Sequence, residues 1–512
     1  MVQMLQDQGF LPKLQRAIAS DNWAAFIANR FVWLLAGYFI VQTITRYFAS
    51  PVLGLDEAEQ IIAAQSFQLG YGPQPPLYTW LTIVFFSVFG DGLFATALLK
   101  NFLLFLGYLG VWLTARKASD PTLAAIGTVS LIFLPQISWE SQRALSHSVL
   151  MFACSAWTVY LFLTCIEKPS WWRAVVFGVV IAAGALSKYN YMFLLAALIA
   201  AGFCIEEGRK FLCSKYILGS AVVAVVLLVP PAFWMFENQD LIYARVHKFG
   251  IDKVERHFLT GFFSLINAAL QFVIVAVVLF FCAWATSFYW KDAEQHDQYV
   301  KETIRKLLTL VVIFGLVITA VSVVASGATN VKDRWLQPIL FLAPLVASLW
   351  LFAEVSMRQA KIILGTASVL SVLIVVLIPF NFAFGSFKKP SAHALPSQAI
   401  VDTLAQYGVR SVLTTSHSIA GNIGDLKPGW AVTIPEYSGI DINYAYPVAI
   451  LWKGHSKAVP ANMSALYQKL KGKPIPNSEI HIEAAPYYHW SEYPFEYSFI
   501  IVEGNNQAAS RH

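Results

Sequence analysis

Residues 31–60 read FVWLLAGYFIVQTITRYFASPVLGLDEAEQ. The stretch is an apolar run from Phe31 to Ala49, followed at once by Asp56, Glu57 and Glu59. A spanning helix needs roughly 20 apolar residues, so the first part reads as a membrane helix. Carboxylates placed beside a membrane span are costly and commonly functional. About twenty residues further on comes Tyr71-Gly72-Pro73-Gln74-Pro75-Pro76-Leu77-Tyr78-Thr79-Trp80, which stiffens the same segment with prolines and aromatics. Together they point to a site at a membrane surface, where an acid or base acts on a lipid-borne substrate.

The whole chain fits a membrane protein. Hydrophobic residues make up 57% and charged residues only 13% of the 512 positions, too little charge to cover a soluble protein of this length. The net charge of +6 lies scattered in short loops, where Lys and Arg orient membrane helices, and it is not a nucleic-acid footprint. Cys154, Cys165, Cys204, Cys213 and Cys282 show no metal-ligand spacing, and none follows residue 282, so a C-terminal region in an oxidising compartment folds without disulfides. The first thirty residues carry Asp7 and Asp21 and no compact cleavable signal, which makes the run from Phe31 a retained span.

Spans are expected near 31–49, 93–114, 121–138, 145–166, 172–187, 190–205, 216–236, 262–288, 306–326, 338–354 and 362–384. The apolar segment 76–90 is a further candidate, and charge decides against it. If it only dips into the interface, then Lys13, Arg16, Arg30, Arg116/Lys117, Lys168/Arg173, Arg209/Lys210/Lys215, Lys301/Arg305/Lys306 and Arg358/Lys361 share one side, as the positive-inside rule asks. The expectation is thus eleven spans, N-terminus in and C-terminus out, with a cytoplasmic segment 1–30, a membrane domain 31–384 and an outer first loop 50–92. On the outer side this topology collects 50–92, 138–146, the corner 187–191, 237–261 and 327–337. No fixed-period repeat or inverted symmetry of the transporter kind is evident.

After Phe384 the chain becomes polar and punctuated by proline. Helices are expected over 397–407 and 462–470, and strands over 411–415, 431–434, 448–452 and 497–502. This describes a small outer α/β domain over 385–512.

Four constellations carry candidate chemistry. Asp56-Glu57 suits acid–base work, although Asp56 could equally be the N-cap of a helix running from Glu57 to Leu69. In the same loop Tyr71, Gln74, Tyr78 and Trp80 offer faces and amides suited to a sugar, or serve as interfacial belt residues. Lys332, Arg334 and Trp335 sit in a very short loop, and the two cations suit a phosphate, a lipid head group or an internal pair with Asp333. Lys188, with Tyr189 beside it, interrupts a long apolar stretch, and Arg46 raises the same question near the end of the first span. A cation at the bilayer centre costs about 2.5–3.5 kcal/mol on insertion scales, so each must snorkel, reach the surface or meet an anion. Glu140, Arg143 and His147 form the last group. No histidine pattern supports a metal, and no Walker, dinucleotide or GxSxG fingerprint has the needed context, so neither cofactor nor divalent metal is expected.

In order and sidedness these pieces resemble the GT-C glycosyltransferases, specifically the protein O-mannosyltransferase and lipid A aminoarabinose transferase group. The resemblance covers roughly 30–384. It rests on the acids after the first span (Asp56, Glu57), the Pro-Pro-Leu-aromatic motif (Pro75–Trp80), the Lys188 corner and the Arg-aromatic-x-x-Pro loop (Arg334–Pro338). It implies a polytopic helical GT-C fold of about eleven spans in a bacterial inner membrane, with the active site and the C-terminal domain periplasmic. It also implies a polyprenyl-phosphate sugar donor, and an acceptor that is lipid A, another glycan or a protein. By carry-over, Asp56 is the base that deprotonates the acceptor hydroxyl, with Glu57 in support and inversion at the anomeric carbon. Lys188, Lys332, Arg334 and Arg46 are the candidates for stabilising the leaving phosphate.

Two departures refine this. Many relatives place an aspartate in the second outer loop, where this chain reads Leu145-Ser146-His147-Ser148, with Glu140 the only substitute. The aminoarabinose transferases commonly carry Lys before the Pro-Pro pair, where Gln74 stands here. Both features look more like the rhizobial lipopolysaccharide galacturonosyltransferases, and an anionic uronate would also suit Arg245, Lys248, Lys253 and Arg256. Aminoarabinose or mannose transfer on the same fold is the alternative. A lipid-linked-sugar transporter would place its ionisable groups deep inside several spans.

Overall fold

The computed structural model describes residues 23–243, 258–289, 300–352, 357–385, 389–437, 439, 441–476 and 479–504. Lys13, Arg16, Arg245, Lys248, Lys253 and Arg256 lie outside the described residues. The helices are α1 (Trp23–Ala49), α2 (Leu55–Ala63), α3 (Leu77–Phe89), α4 (Leu93–Ala118), α5 (Pro121–Val129), α6 (His147–Glu167), α7 (Trp171–Ala185) and α8 (Tyr191–Phe203). They continue as α9 (Glu206–Leu212), α10 (Lys215–Glu237), α11 (Phe258–Tyr289), α12 (Glu302–Ser326), α13 (Ala343–Leu351) and α14 (Met357–Phe384). The C-terminal part adds α15 (Ser397–Ala405), β1 (Ser411–Thr414), α16 (His417–Leu426), β2 (Ala431–Thr433), β3 (Val448–Lys453), α17 (Ala461–Lys471), β4 (His481–Tyr487) and β5 (Trp490–Val502).

Among the described residues, seven helices are long and apolar enough to cross a membrane: α1, α4, α6, α10, α11, α12 and α14. Two bent pairs raise the number to nine. Pro121–Phe133 meets Pro135–Arg143 at 81°, and Tyr191–Phe203 meets Glu206–Leu212 at 115°. The first bend sits at Pro135, which supplies no N–H and pushes Leu134 into extended backbone. The remaining expected spans, 172–187 and 338–354, correspond to the shorter apolar helices Trp171–Ala185 and Gln337–Leu351. Helix α3 has 13 residues, about 20 Å at 1.5 Å each, and falls well short of a span.

The bundle is a polytopic helical membrane fold with one continuous apolar core. Its outward residues are themselves apolar, as on α10 (Leu218, Val222, Val226, Phe233) and α14 (Val369, Val372, Val376, Phe380), because lipid rather than water covers them. At one end Glu167 pairs with Lys117 and, at 3.5 Å, with Lys301. Several of the basic loops therefore meet at one end of the bundle. The acidic motif lies at the other, since Lys100, near the start of α4, reaches Glu57.

The C-terminal domain is a five-stranded sheet in the order β2-β1-β3-β5-β4. β1 pairs in parallel with β2 and β3, while β5 runs antiparallel to β3 and β4. Two elements depart from the sequence expectation. Strand β4 carries Glu483 and Pro486 and is an edge strand, the position where a missing N–H is tolerated. Helix α16 contains Gly421 and Gly424, which weaken a helical pattern. A Cβ on Gly421 would lie 2.4 Å from the Ala58 Cα, and one on Gly424 would lie 2.9 Å from the Ile61 Cγ2. Those glycines let α16 lie directly on α2.

Candidate active site

Asp56 and Glu57 are adjacent on α2 and face different surroundings. The N-cap is Gly54, not Asp56, and the helix ends at Ala63 rather than near Leu69. Glu57, at the third helical position, reaches back so that its Oε2 accepts the Gly54 N–H at 2.9 Å. The same carboxylate is gripped by Arg46 (Nη2 to Oε2, 2.6 Å; Nε to Oε1, 3.1 Å) and by Lys100 (Nζ to Oε1, 3.2 Å). All three side chains are almost fully buried. Although burial works the other way, Arg46 and Lys100 hold the Glu57 carboxyl well below its ordinary range.

Arg46 spends its other donors on the carbonyls of Ser50 and Val52, each at 3.0 Å. Its guanidinium is thus held among protein groups. Glu57 is likewise a buried counter-ion, which fixes the start of α2 against α1 and α4.

Asp56 is different. It remains partly open to solvent, and its Oδ2 accepts the backbone N–H of Ser146 at 3.2 Å. Burial, with the Glu59 charge adding to it, pushes its carboxyl up to about 6, against the opposing pull of Lys100, Lys188 and the Ser146 N–H. A carboxylate tuned this way can take a proton near neutral pH.

Three loops converge beside it. Lys188 lies in the turn between α7 and α8, and its Nζ donates to Ser148 Oγ at 2.6 Å. Burial and the neighbouring Arg334 lower it to about 8, although Asp56 favours its charge. Asn190 Nδ2 donates to the Trp335 carbonyl at 2.8 Å, and Gln337 Nε2 to the Ser148 carbonyl at 3.3 Å. The 187–191 corner, the 332–338 loop and the start of α6 are therefore stitched together. The side chains of Lys332 and Arg334 are half-buried and make no hydrogen bond or ion pair to any described residue. Trp335 is half-buried beside them. Tyr189 is exposed at the same corner, where an apolar or sugar face can meet it.

The Pro-Pro motif joins this cluster through the Leu77 N–H, which donates to the Leu186 carbonyl at 3.2 Å. Tyr78 is buried, with its ring 5.4 Å from that of His147. His147 Nε2 lies 3.4 Å from Gln60 Nε2, and Gln60 Oε1 accepts from Thr79 at 2.9 Å. Other expected contacts turn inward instead. The Tyr71 hydroxyl donates to the Ser66 carbonyl, and Trp80 Nε1 donates to the Gln68 carbonyl while its ring stacks on Phe67. These two residues shape the loop and do not reach Asp56. Gln74 is half-buried on the same loop. Glu140 and Arg143 pair with each other at 2.7 Å, and the carboxylate whose charge raises Asp56 is Glu59.

Lys100 was absent from the sequence-derived set. It is a lone cation inside an apolar span, the same signal that marked Lys188. Among the described residues no group of three or more His, Cys, Asp or Glu is arranged to hold a metal.

Comparison with known proteins bears on the family and the fold. A family model described as dolichyl-phosphate-mannose-protein mannosyltransferase matches residues 73–234. The lipopolysaccharide core galacturonosyltransferase RgtB of Rhizobium johnstonii is 30% identical over 489 residues, 92% of this chain and 97% of that protein. The lipopolysaccharide core galacturonosyltransferase RgtA of the same organism is 27% identical, over 89% of this chain and 93% of its own. The crystal structure of ArnT from Cupriavidus metallidurans bound to undecaprenyl phosphate matches with a TM-score of 0.55 at 11% identity, covering 96% of this chain and 100% of that one. That last likeness bears on the fold alone. The chain is a membrane glycosyltransferase of the GT-C superfamily and belongs to the family of the lipopolysaccharide core galacturonosyltransferases.

Proposed function

We propose that this enzyme transfers galacturonic acid from a polyprenyl-phosphate donor to a hydroxyl of lipopolysaccharide, on lipid A or the core, at the periplasmic face of the bacterial inner membrane. The observation that carries the reading is a solvent-reachable carboxylate, Asp56, close enough to Lys188 for each to feel the other's charge, with Arg334 acting on Lys188 where three loops meet. Asp56 accepts the acceptor's proton as the oxygen attacks the anomeric carbon. The bond to the donor phosphate breaks on the opposite face of the sugar, its electron pair leaves on phosphate oxygen, and the configuration inverts. Lys188, Arg334 and Lys332 stabilise that developing charge. The names of the full-length relatives support galacturonate over aminoarabinose or mannose, and Gln74 in the Pro-Pro motif fits the same choice.

The test is transfer by purified full-length protein in nanodiscs, given polyprenyl-phosphate galacturonate and lipopolysaccharide from a strain lacking the modification. A uronate gained by lipid A or core supports the reading. Transfer only from a pentosamine or hexose donor would replace the sugar and leave the mechanism in place.

A further inference from the structure

Helix α2 carries Asp56 toward the bundle and presents Glu59, one turn further on, to the C-terminal domain. Glu59 is buried, and its Oε1 lies 3.4 Å from Nε2 of His417, the first residue of α16. The same Nε2 is 3.5 Å from Oε2 of Glu436. The mechanism above uses none of these groups. They are nonetheless held firmly relative to Asp56. Asn422 pins Leu53 through both its amide atoms, Gly421 rests on Ala58, and Gln65 exchanges hydrogen bonds with both backbone groups of Val432 at 2.7 and 3.0 Å.

The groups that bear on Asp56 come from several elements. Glu59 is on its own helix, beside Glu57, while Lys100 is on α4 and the Ser146 N–H stands before α6. Tyr78 is on α3, Lys188 is in the 186–190 turn, and Arg334 acts on Lys188 from beside that turn. Around His417 stand Glu59, Glu436 and the edge of Tyr437, whose ring centroid is 6.1 Å away. Lys100 is engaged by Glu57, and Lys188 is assigned to the leaving phosphate. Glu59 is therefore the charge whose effect on Asp56 can be adjusted without disturbing either.

We propose that Glu59 and His417 form a positioning pair through which the C-terminal domain tunes the base Asp56. The Glu59 carboxylate, one turn along the same helix at i+3, opposes negative charge on Asp56 and keeps a proton on it to higher pH. His417 presents positive charge to Glu59, either as a cation or as a neutral ring with its N–H turned toward the acids, and offsets that effect. The proposal rests on the reading of Asp56 as the base, and it gives the C-terminal domain a part in the chemistry of the membrane domain.

The experiment uses full-length protein in nanodiscs: wild type, Glu59→Gln, His417→Gln, the double variant and Asp56→Asn. Two quantities are read, the acid limb of kcat/KM and the infrared titration of the Asp56 carboxyl, isolated by difference against Asp56→Asn. Glu59→Gln should move both to lower pH and His417→Gln should move both to higher pH, each by roughly half a unit to one unit. The double variant should follow Glu59→Gln, because His417 acts only through Glu59. Unmoved limbs, or shifts in the same direction for both single variants, would overturn the proposal. If His417→Gln lowers the melting temperature, the infrared titration of Glu59→Gln decides alone, and an unmoved band there overturns it too. Full activity of Asp56→Asn would instead remove the underlying reading of the base, a result distinguishable from the others.

Discussion

Arg46 and Glu57 meet in a buried, two-pronged ion pair, with Nη2 to Oε2 at 2.6 Å and Nε to Oε1 at 3.1 Å. Removing one partner of such a pair leaves an uncompensated charge in a dry site and costs about 3–5 kcal/mol. Glu57→Gln strands both Arg46 and Lys100. It should lower the melting temperature in nanodiscs sharply and reduce the yield of folded protein. Arg46→Gln should do much the same. A Glu57→Gln protein with wild-type melting and lost activity would return Glu57 to the reacting centre.

The neighbouring acid should behave in the opposite way. Asp56 has a raised folded-state value of about 6. The stability it contributes is therefore present in full below the ordinary carboxyl range and is lost as pH rises through about 6. At pH 7.5 the charged side chain weakens the fold, so Asp56→Asn should melt at a slightly higher temperature than wild type while losing transfer. In kcat/KM, activity of the wild type should fall as pH drops through about 6, where the base becomes protonated. It should fall again above about 8, where Lys188 loses its charge. A flat profile over pH 5 to 9 would remove both groups from the rate-determining chemistry.

Lys188 and Arg334 are assigned to the leaving phosphate, so their neutral variants should lose transition-state stabilisation. Removing one donor of this kind costs about 10²–10³-fold in kcat. Lys188→Gln and Arg334→Gln should each show a loss of that order in single-turnover transfer, with melting temperatures close to wild type. Lys332→Gln, on the same loop, should show a smaller loss. Losses confined to KM would indicate ground-state donor binding only.

Asn422 tests how the C-terminal domain supports the site. Its Oδ1 accepts the Leu53 N–H at 2.7 Å and its Nδ2 donates to the Leu53 carbonyl at 3.2 Å. Asn422→Ala leaves both buried backbone groups unpaired, at about 1–3 kcal/mol for each. Hydrogen exchange of residues 52–63 should accelerate, and transfer should fall. Unchanged exchange in that segment would mean that α2 is held by the bundle alone.

Much of the membrane domain was legible because apolar runs and loop charge obey simple rules. The acids after the first span also marked a short helix, α2, that stands against the bundle. The different surroundings of Asp56 and Glu57 were not legible, because they depend on Arg46 and Lys100 arriving from two other helices. Lys100 carried the same signal as Lys188 and was masked by the uniform apolarity of its span. Helix α16 was hidden by Gly421 and Gly424, residues that argue against a helix locally and are needed for its contact with α2. The pairing of Glu59 with His417 joins positions far apart in the chain, which no local pattern reveals. Tyr71 and Trp80 were legible as loop aromatics, while their inward hydrogen bonds depend on the turn at 66–70.

The central claim is that Asp56 is the base for transfer of galacturonate to lipopolysaccharide. Its most direct test is mass spectrometry of lipid A and core from a deletion strain, complemented with wild type or Asp56→Asn at equal membrane abundance. The account predicts loss of a hexuronate on deletion, restored by wild type and not by Asp56→Asn. Full restoration of the hexuronate by Asp56→Asn would contradict it.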